Sequence, residues 1–123
     1  MLPDWPGYSS PCAAGTIERN DPRIDALIPA DANIEKLAEG FTFTEGPVWD
    51  RRNDQLYFSD VRDNTIYSWS EKAGAKPFIQ PVYSEESDHP SVGSNGLTLD
   101  DEGRLILMEH GYRRVSRLEN GGD

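Results

Sequence analysis

Cysteine is almost absent from this chain: Cys12 is the only one in 123 residues. An intrachain disulfide is therefore excluded. Cys12 lies in a Pro/Gly/Ser-rich leader, without the electropositive, structured setting that activates a thiol, so it reads as an ordinary thiol and not a nucleophile. Histidine is scarce as well. His89 and His110 have no zinc-ligand spacing. Basic residues are outnumbered, 12 against 22 acidic, for a net charge of -10. That balance leaves no basic footprint for a nucleic acid and disfavours anionic membrane surfaces. No apolar run is long enough to span a bilayer as a helix. The start, MLPDWPGYSS, lacks the basic and apolar regions of a signal peptide, so a cytoplasmic location is expected. No phosphate-binding glycine loop occurs. VGSNG departs from the nucleophile elbow because Val92 stands where the first glycine is required, and because a strand follows it rather than a helix. DDEG around Asp100 lacks the alternating acidic ligands of a calcium-binding EF-hand and reads as a hairpin turn.

What the chain does contain is a repeat. GPVWDRRNDQLYFSDVRDNTIYSWS returns roughly 50 residues later as GLTLDDEGRLILMEHGYRRVSRLE. From Leu56 and Leu105 onward the copies align without a gap, LYFSDVRDNTIYSWS over LILMEHGYRRVSRLE. One deletion in the preceding turn brings Gly46 over Gly96 and Asp50 over Asp100. Repeats of this length built from short strands point to propeller blades. Propellers close with about four to eight blades, and this chain holds one unit and most of a second. It is therefore expected to be the N-terminal piece of a longer propeller. The alternative is a small complete all-β domain of two similar hairpin units.

The expected elements follow from punctuation and period. Residues 1–40 form a leader. Pro3, Pro6, Pro11 and Gly15 keep its start irregular. Asp21 caps and Pro22 opens a short helix from Pro22 to Leu27, which Pro29 ends. Ile34 and Leu37 fit a helical turn or a short edge strand. Residues 41–123 hold the first blade and most of the second. The strands are expected around Val48 and Trp49, Leu56 to Ser59, Thr65 to Trp69, Lys76 to Val82, Leu97 to Leu99, Arg104 to Glu109 and Arg114 to Leu118. Pro77 and Pro81 place the fourth at an edge. Tyr83 to Ser94 reads as a polar loop.

Each shared glycine is preceded by a hard oxygen donor, Glu45 in the first unit and Asn95 in the second. A residue just before the innermost strand of a blade sits at the mouth of the central channel, so the two would approach each other from adjacent blades. Such oxygens suit calcium, magnesium or manganese. The plain alternatives are a tight Asn95-Gly96 hairpin turn and a solvated Glu45 loop carboxylate. Asp60 and Glu109 share an equivalent place at the end of the next strand, at the same mouth. Asp60 reads first as a turn residue accepting backbone hydrogen bonds. Glu109 reads either as a partner of Arg113 or Arg114 or, with His110, as a substrate-contact or proton-transfer group.

From about Asp25 to Leu118 the chain resembles the senescence-marker-protein, gluconolactonase and luciferin-regenerating-enzyme-like family. The words that carry the resemblance are DALIP, FTFTEGPVWD, LYFSD, SNGLTLDDEGRL and MEHGYRRVSRLE, in that order and spacing. The resemblance implies a six-bladed β-propeller with a divalent metal, often calcium, at the top of the channel, magnesium, manganese and zinc being the alternatives. It implies hydrolysis of a small sugar lactone. Family ligands are a Glu of the EGP word, two Asn and one Asp. Glu45 matches the first and Asn95 the second; the other two have no counterpart up to Asp123. The family's general base is usually assigned to that missing Asp, so no catalytic base is expected in this chain. Glu109 and His110 would line the pocket as substrate contacts. Some animal members carry an Arg two positions before the Asn, where this chain has Gly93.

The chain is thus expected to supply part of a metal-dependent lactonase and to be inactive alone. Its partners would be the remaining blades. A non-catalytic propeller scaffold is the competing reading, since one fold hosts many functions. A truncated product without function is the third. It would expose Trp49, Trp69 and Leu97 on an uncovered blade face.

Overall fold

The computed structural model describes residues 14–119. Cys12 and the first part of the leader lie outside the described residues. The chain divides between Glu39 and Gly40 into two compact units.

In the first unit, Pro22–Ala26 forms a 3-10 turn. Asp21 caps it, accepting from the Arg23 amide at 2.8 Å. Leu27 closes it with a backbone bond to the Ile24 carbonyl at 2.9 Å. The sequence places the turn correctly, but it stays 3-10, the tighter form common in short pieces. Ile34 and Leu37 form neither a helical turn nor a strand. A single isolated bridge at Glu35 is all that develops, and both apolar side chains are 42% exposed.

The second unit is built from seven antiparallel strands: β1 Thr44–Asp50, β2 Gln55–Asp60, β3 Thr65–Ser70, β4 Gly74–Ile79, β5 Ser94–Leu99, β6 Leu105–Glu109 and β7 Arg114–Arg117. They form one sheet ordered β1-β2-β3-β4 and a second ordered β5-β6-β7. Each is a meander in which neighbours in sequence are neighbours in space. The fourth strand starts two residues before the expected Lys76 and stops at Ile79, three before the expected Val82, and it holds Pro77 at the outer edge, where a missing N–H is tolerated.

The repeat is legible in the backbone. Asp54 and Gly103, aligned in the two copies, both take positive φ, 54° and 84°. Asn64 and Arg113, also aligned, do the same at 54° and 53°. Asp and Asn tolerate that region through local hydrogen bonding; arginine does so only rarely. Aligned aspartates open the first turn of each unit. Asp50 accepts from the Arg52 amide at 2.9 Å and from Asn53 Nδ2 at 2.7 Å. Asp100 accepts from the Glu102 and Arg104 amides at 3.0 and 2.8 Å.

The two sheets pack face to face through β5, which lies against β1 and β2. Tyr57 and Ile66 of the first sheet meet Leu97, Leu105 and Leu107 of the second in one buried cluster. Burial in β6 alternates, with Leu105, Leu107 and Glu109 turned inward, the period-2 signature of a strand. Leu97 is therefore not on an open face: at 9% exposure it is core. Trp49 is 44% exposed, and Trp69 is half-buried. On the opposite face of the first sheet, Phe41 packs edge-on against Phe58 and Tyr67, at centroid separations of 5.0 and 4.9 Å.

Polar ties run along the joint between the sheets. At the turn end, the Arg52 guanidinium donates to the carbonyls of Asp101 and Glu102. At the other end runs a backbone relay. The Val61 amide donates to Phe43, the Gly93 amide to Val61, and the His110 amide to Gly93, at 3.0, 3.1 and 3.0 Å. Asn64 holds the connecting segment by exchanging two bonds with Tyr83, of 2.7 and 2.9 Å.

Burial pushes the Asp50 carboxyl up, but hydrogen bonds from Asn53 and Arg52, with the Arg52 charge, hold it net below its ordinary value. Asp100 follows the same pattern: desolvation opposes, and Arg104 prevails. Both folded-state pKa values thus lie below the unfolded value of about 3.9. Their stabilisation is complete above that value and is lost as pH falls through the folded values. Urea midpoints should hold steady from about pH 7 to about pH 5 and drop below about pH 4. Asp50→Asn, which cannot titrate, should flatten part of that drop; an unchanged acid limb would show that this carboxylate does not set it.

Candidate functional site

Both innermost strands carry the same irregularity. In β1 the register jumps from Glu45 opposite Ser59 to Val48 opposite Tyr57, so Gly46 and Pro47 share one partner position, Phe58. In β5 it jumps from Ser94 opposite Glu109 to Leu97 opposite Leu107, so Asn95 and Gly96 share Met108. These are β-bulges, which bend a strand and re-aim a side chain. Glu45 and Asn95 therefore do not precede the strands, as the sequence suggested; they lie inside them, at the bulge. Asn95-Gly96 is no hairpin turn either. Packing on the first sheet overrides the local turn preference of that dipeptide.

Gly46 shows why the bulge needs glycine. Its φ is +60°, and a Cβ there would sit 2.5 Å from the Asn95 carbonyl oxygen and 3.0 Å from Gly96 Cα and the Leu97 nitrogen. The inner strands touch backbone to backbone here, and the contact brings Glu45 and Asn95 together from adjacent sheets. Ser59 completes the joint. It is fully buried, donates to the Asn95 carbonyl at 2.8 Å and lies 2.7 Å from Ser94 Oγ. The side chains of Glu45 and Asn95 are half-buried, and among the described residues neither makes an intramolecular hydrogen bond. Two hard oxygen donors thus lie on adjacent inner strands without intramolecular partners among the described residues, a donor chemistry that fits a hard divalent cation. The set is partial. Among the described residues no cluster of three or more His, Cys, Asp or Glu assembles.

Asp60 is otherwise occupied. It is 1% exposed and accepts from the Thr42 and Phe43 amides at 2.7 and 2.9 Å and from Asp63 at 3.4 Å. The backbone-accepting role read from its turn context is the one it plays. Glu109, its aligned counterpart, sits opposite Ser94 at the end of β6. Its carboxylate pairs with Arg114 at 3.0 Å and accepts from the Ser116 hydroxyl. His110 is exposed, with its ring edge-on to His89 at 5.1 Å. Sequence reasoning missed that pairing, and it missed Ser59 and Ser94. The serine of LYFSD was the available signal, because its aligned partner in the second unit is the apolar Met108.

The family model described as the SMP-30/gluconolactonase/LRE-like region matches residues 43–122. The chain belongs to this family. The gluconolactonase of Zymomonas mobilis is 29% identical over 109 residues, covering 85% of this chain and 31% of the relative. A structural-genomics crystal structure carrying a provisional gluconolactonase name superposes with TM-score 0.63 at 39% identity, over 80% of this chain and 32% of the other. A gluconolactonase structure from Xanthomonas campestris gives TM-score 0.67 at 24% identity, over 84% of this chain and 31% of the other, and shares the fold. The chain spans about a third of the length of these relatives. The two stacked sheets are thus neighbouring blades of a gluconolactonase-type β-propeller. Gly93 has a physical reason in this setting. A Cβ there would lie 2.9 Å from the Val61 carbonyl, so the blade joint leaves no room for a side chain.

Gly46→Ala combines a strained φ with a backbone clash, whereas Gly74, at φ +64°, faces open space. Gly46→Ala should destabilise the chain by about 1–3 kcal/mol more than Gly74→Ala in urea unfolding. Equal losses would mean that the inner strands do not meet as closely as described.

Proposed function

We propose that this chain forms two blades of a divalent-metal-dependent sugar-lactone hydrolase, with Glu45 and Asn95 as two of the metal ligands. The observation that supports the reading is the backbone contact at Gly46, which brings together the strands that carry Glu45 and Asn95, in a family that includes gluconolactonases. Calcium is the cation favoured, with magnesium, manganese and zinc as alternatives. A cation held there supplies Lewis-acid polarisation of a lactone carbonyl and acidifies a bound water.

The chain's own residues do the rest of the work at this mouth. The two bulges aim Glu45 and Asn95, and the serine joint keeps their strands together. Exposed His110 offers a group to a sugar hydroxyl. Glu109, held by Arg114, forms the neighbouring wall and stays oriented by that pair. No residue of this chain is assigned as general base. Further blades would contribute it and the remaining ligands, and would cover surfaces such as Trp49 and Val115, which are 44% and 67% exposed.

Two donors leave most of a calcium shell to water. The chain alone should bind calcium with a Kd on the order of 1 mM or weaker, and Glu45→Ala should abolish that binding in calorimetry. Hydrolysis of gluconolactone, followed by pH-stat, should not exceed the spontaneous rate. Turnover by the chain alone, or tight binding indifferent to Glu45→Ala, would overturn the proposal.

A further inference from the structure

We infer that Ser59 is the positioning residue of this centre: its hydroxyl fixes the β5 bulge so that Asn95 and Glu45 present their oxygens to one point. The inference rests on the metal reading above and adds the element that links the two donors.

Ser59 stands directly opposite Glu45 in the β1–β2 register. Across the joint it donates to the Asn95 carbonyl at 2.8 Å. One side chain thus touches the strand of the first donor and the peptide of the second. A hydroxyl has one proton to give. Since Ser59 gives its proton to Asn95, the 2.7 Å bond between the two serines must run from Ser94 to Ser59. The result is a one-way chain: Ser94 to Ser59 to the Asn95 carbonyl. The bulge leaves Asn95 without a register partner of its own in β6, and a half-buried carbonyl left unpaired carries a cost. Ser59 supplies the donor from the neighbouring sheet. It thereby sets the orientation of the peptide that carries the Asn95 side chain.

The repeat argues that this hydroxyl is specific. At the aligned position of the second unit stands Met108, half-buried and without a hydroxyl. A blade strand needs no hydroxyl there for its own sake. The one that is present is fully buried and aimed at the residue adjoining Gly46. Groups that orient ligands from behind typically change metal affinity by roughly 10–100-fold when removed.

The test uses the 123-residue chain labelled with ¹⁵N and titrated with Mn²⁺, whose paramagnetism broadens nearby amide signals. In the wild type, the amides of Glu45 and Gly46 should broaden together with those of Asn95 and Gly96. Ser59→Ala should require roughly 10-fold more Mn²⁺ for the Asn95 and Gly96 amides and should separate them from Glu45. Ser94→Ala deletes a hydroxyl of the same buried pair but leaves the Ser59–Asn95 bond, and should keep the wild-type titration. Thermal melts of both variants establish that they fold. Should Ser59→Ala not fold, Ser59→Gly, which likewise lacks the hydroxyl and adds no bulk, takes its place. Unchanged broadening in the folded Ser59 variant overturns the inference, as does an equal loss in Ser94→Ala, which would mark the pair as merely structural. An absence of broadening in the wild type removes the metal reading itself and the inference with it.

Discussion

The contact on which everything else turns is between two stretches of backbone. Gly46 in β1 and Asn95–Leu97 in β5 come so close that no side-chain atom fits between them. Backbone brought that near, in a buried setting, must settle its hydrogen bonds locally. Both strands bulge at this point, which shifts the register of the ladder. Ser59 adds a bond of its own, giving its hydroxyl proton to the Asn95 carbonyl across the joint. The core of Tyr57, Ile66, Leu97, Leu105 and Leu107 supplies the area that pulls the sheets together, but area is non-directional. The glycine contact and the serine bonds decide where along the strands the sheets engage.

Much of this was written in the chain. The repeat, with its gap confined to the first turn, gave the pairing of units, and the positive-φ residues fall at aligned positions as a true structural repeat requires. The inner, middle and outer strands were recoverable from period 2 and from turn residues. The propeller itself followed from repeat length. The bulges were not recoverable. A bulge adds one residue without changing composition, and alternation broken by one residue looks the same as alternation that has ended. Hence Glu45 and Asn95 were placed just outside strands that in fact contain them. Leu97 failed for a different reason. Burial between sheets depends on which face meets a neighbour, and a single strand does not announce its neighbour. Ile34 and Leu37 carried a pattern that, among the described residues, yields only an isolated bridge at Glu35.

The aligned carboxylates show how a repeat diverges while its frame holds. Asp60 and Glu109 occupy the same place in successive blades. Asp60, one methylene shorter, folds back onto the Thr42 and Phe43 amides and closes the segment that enters its blade. Glu109 has no such role, because Gly93 and the relay through His110 already hold the corresponding entry. Its carboxylate turns to Arg114 and Ser116. The same geometry yields a structural acid in one blade and an oriented wall beside the site in the next.

The Arg52 tie lies at the far end of the joint from the serines. A joint fastened at one end can pivot; fastened at both, it transmits torque. Rotation of the second blade about the strand direction would have to break the guanidinium bonds at the turn and the hydroxyl bonds at the bulge together. Side chains at either extremity thus pin the two blades to each other, on both sides of the apolar layer between them. A ring assembled from such units would owe its closure to the accumulated accuracy of those small fasteners.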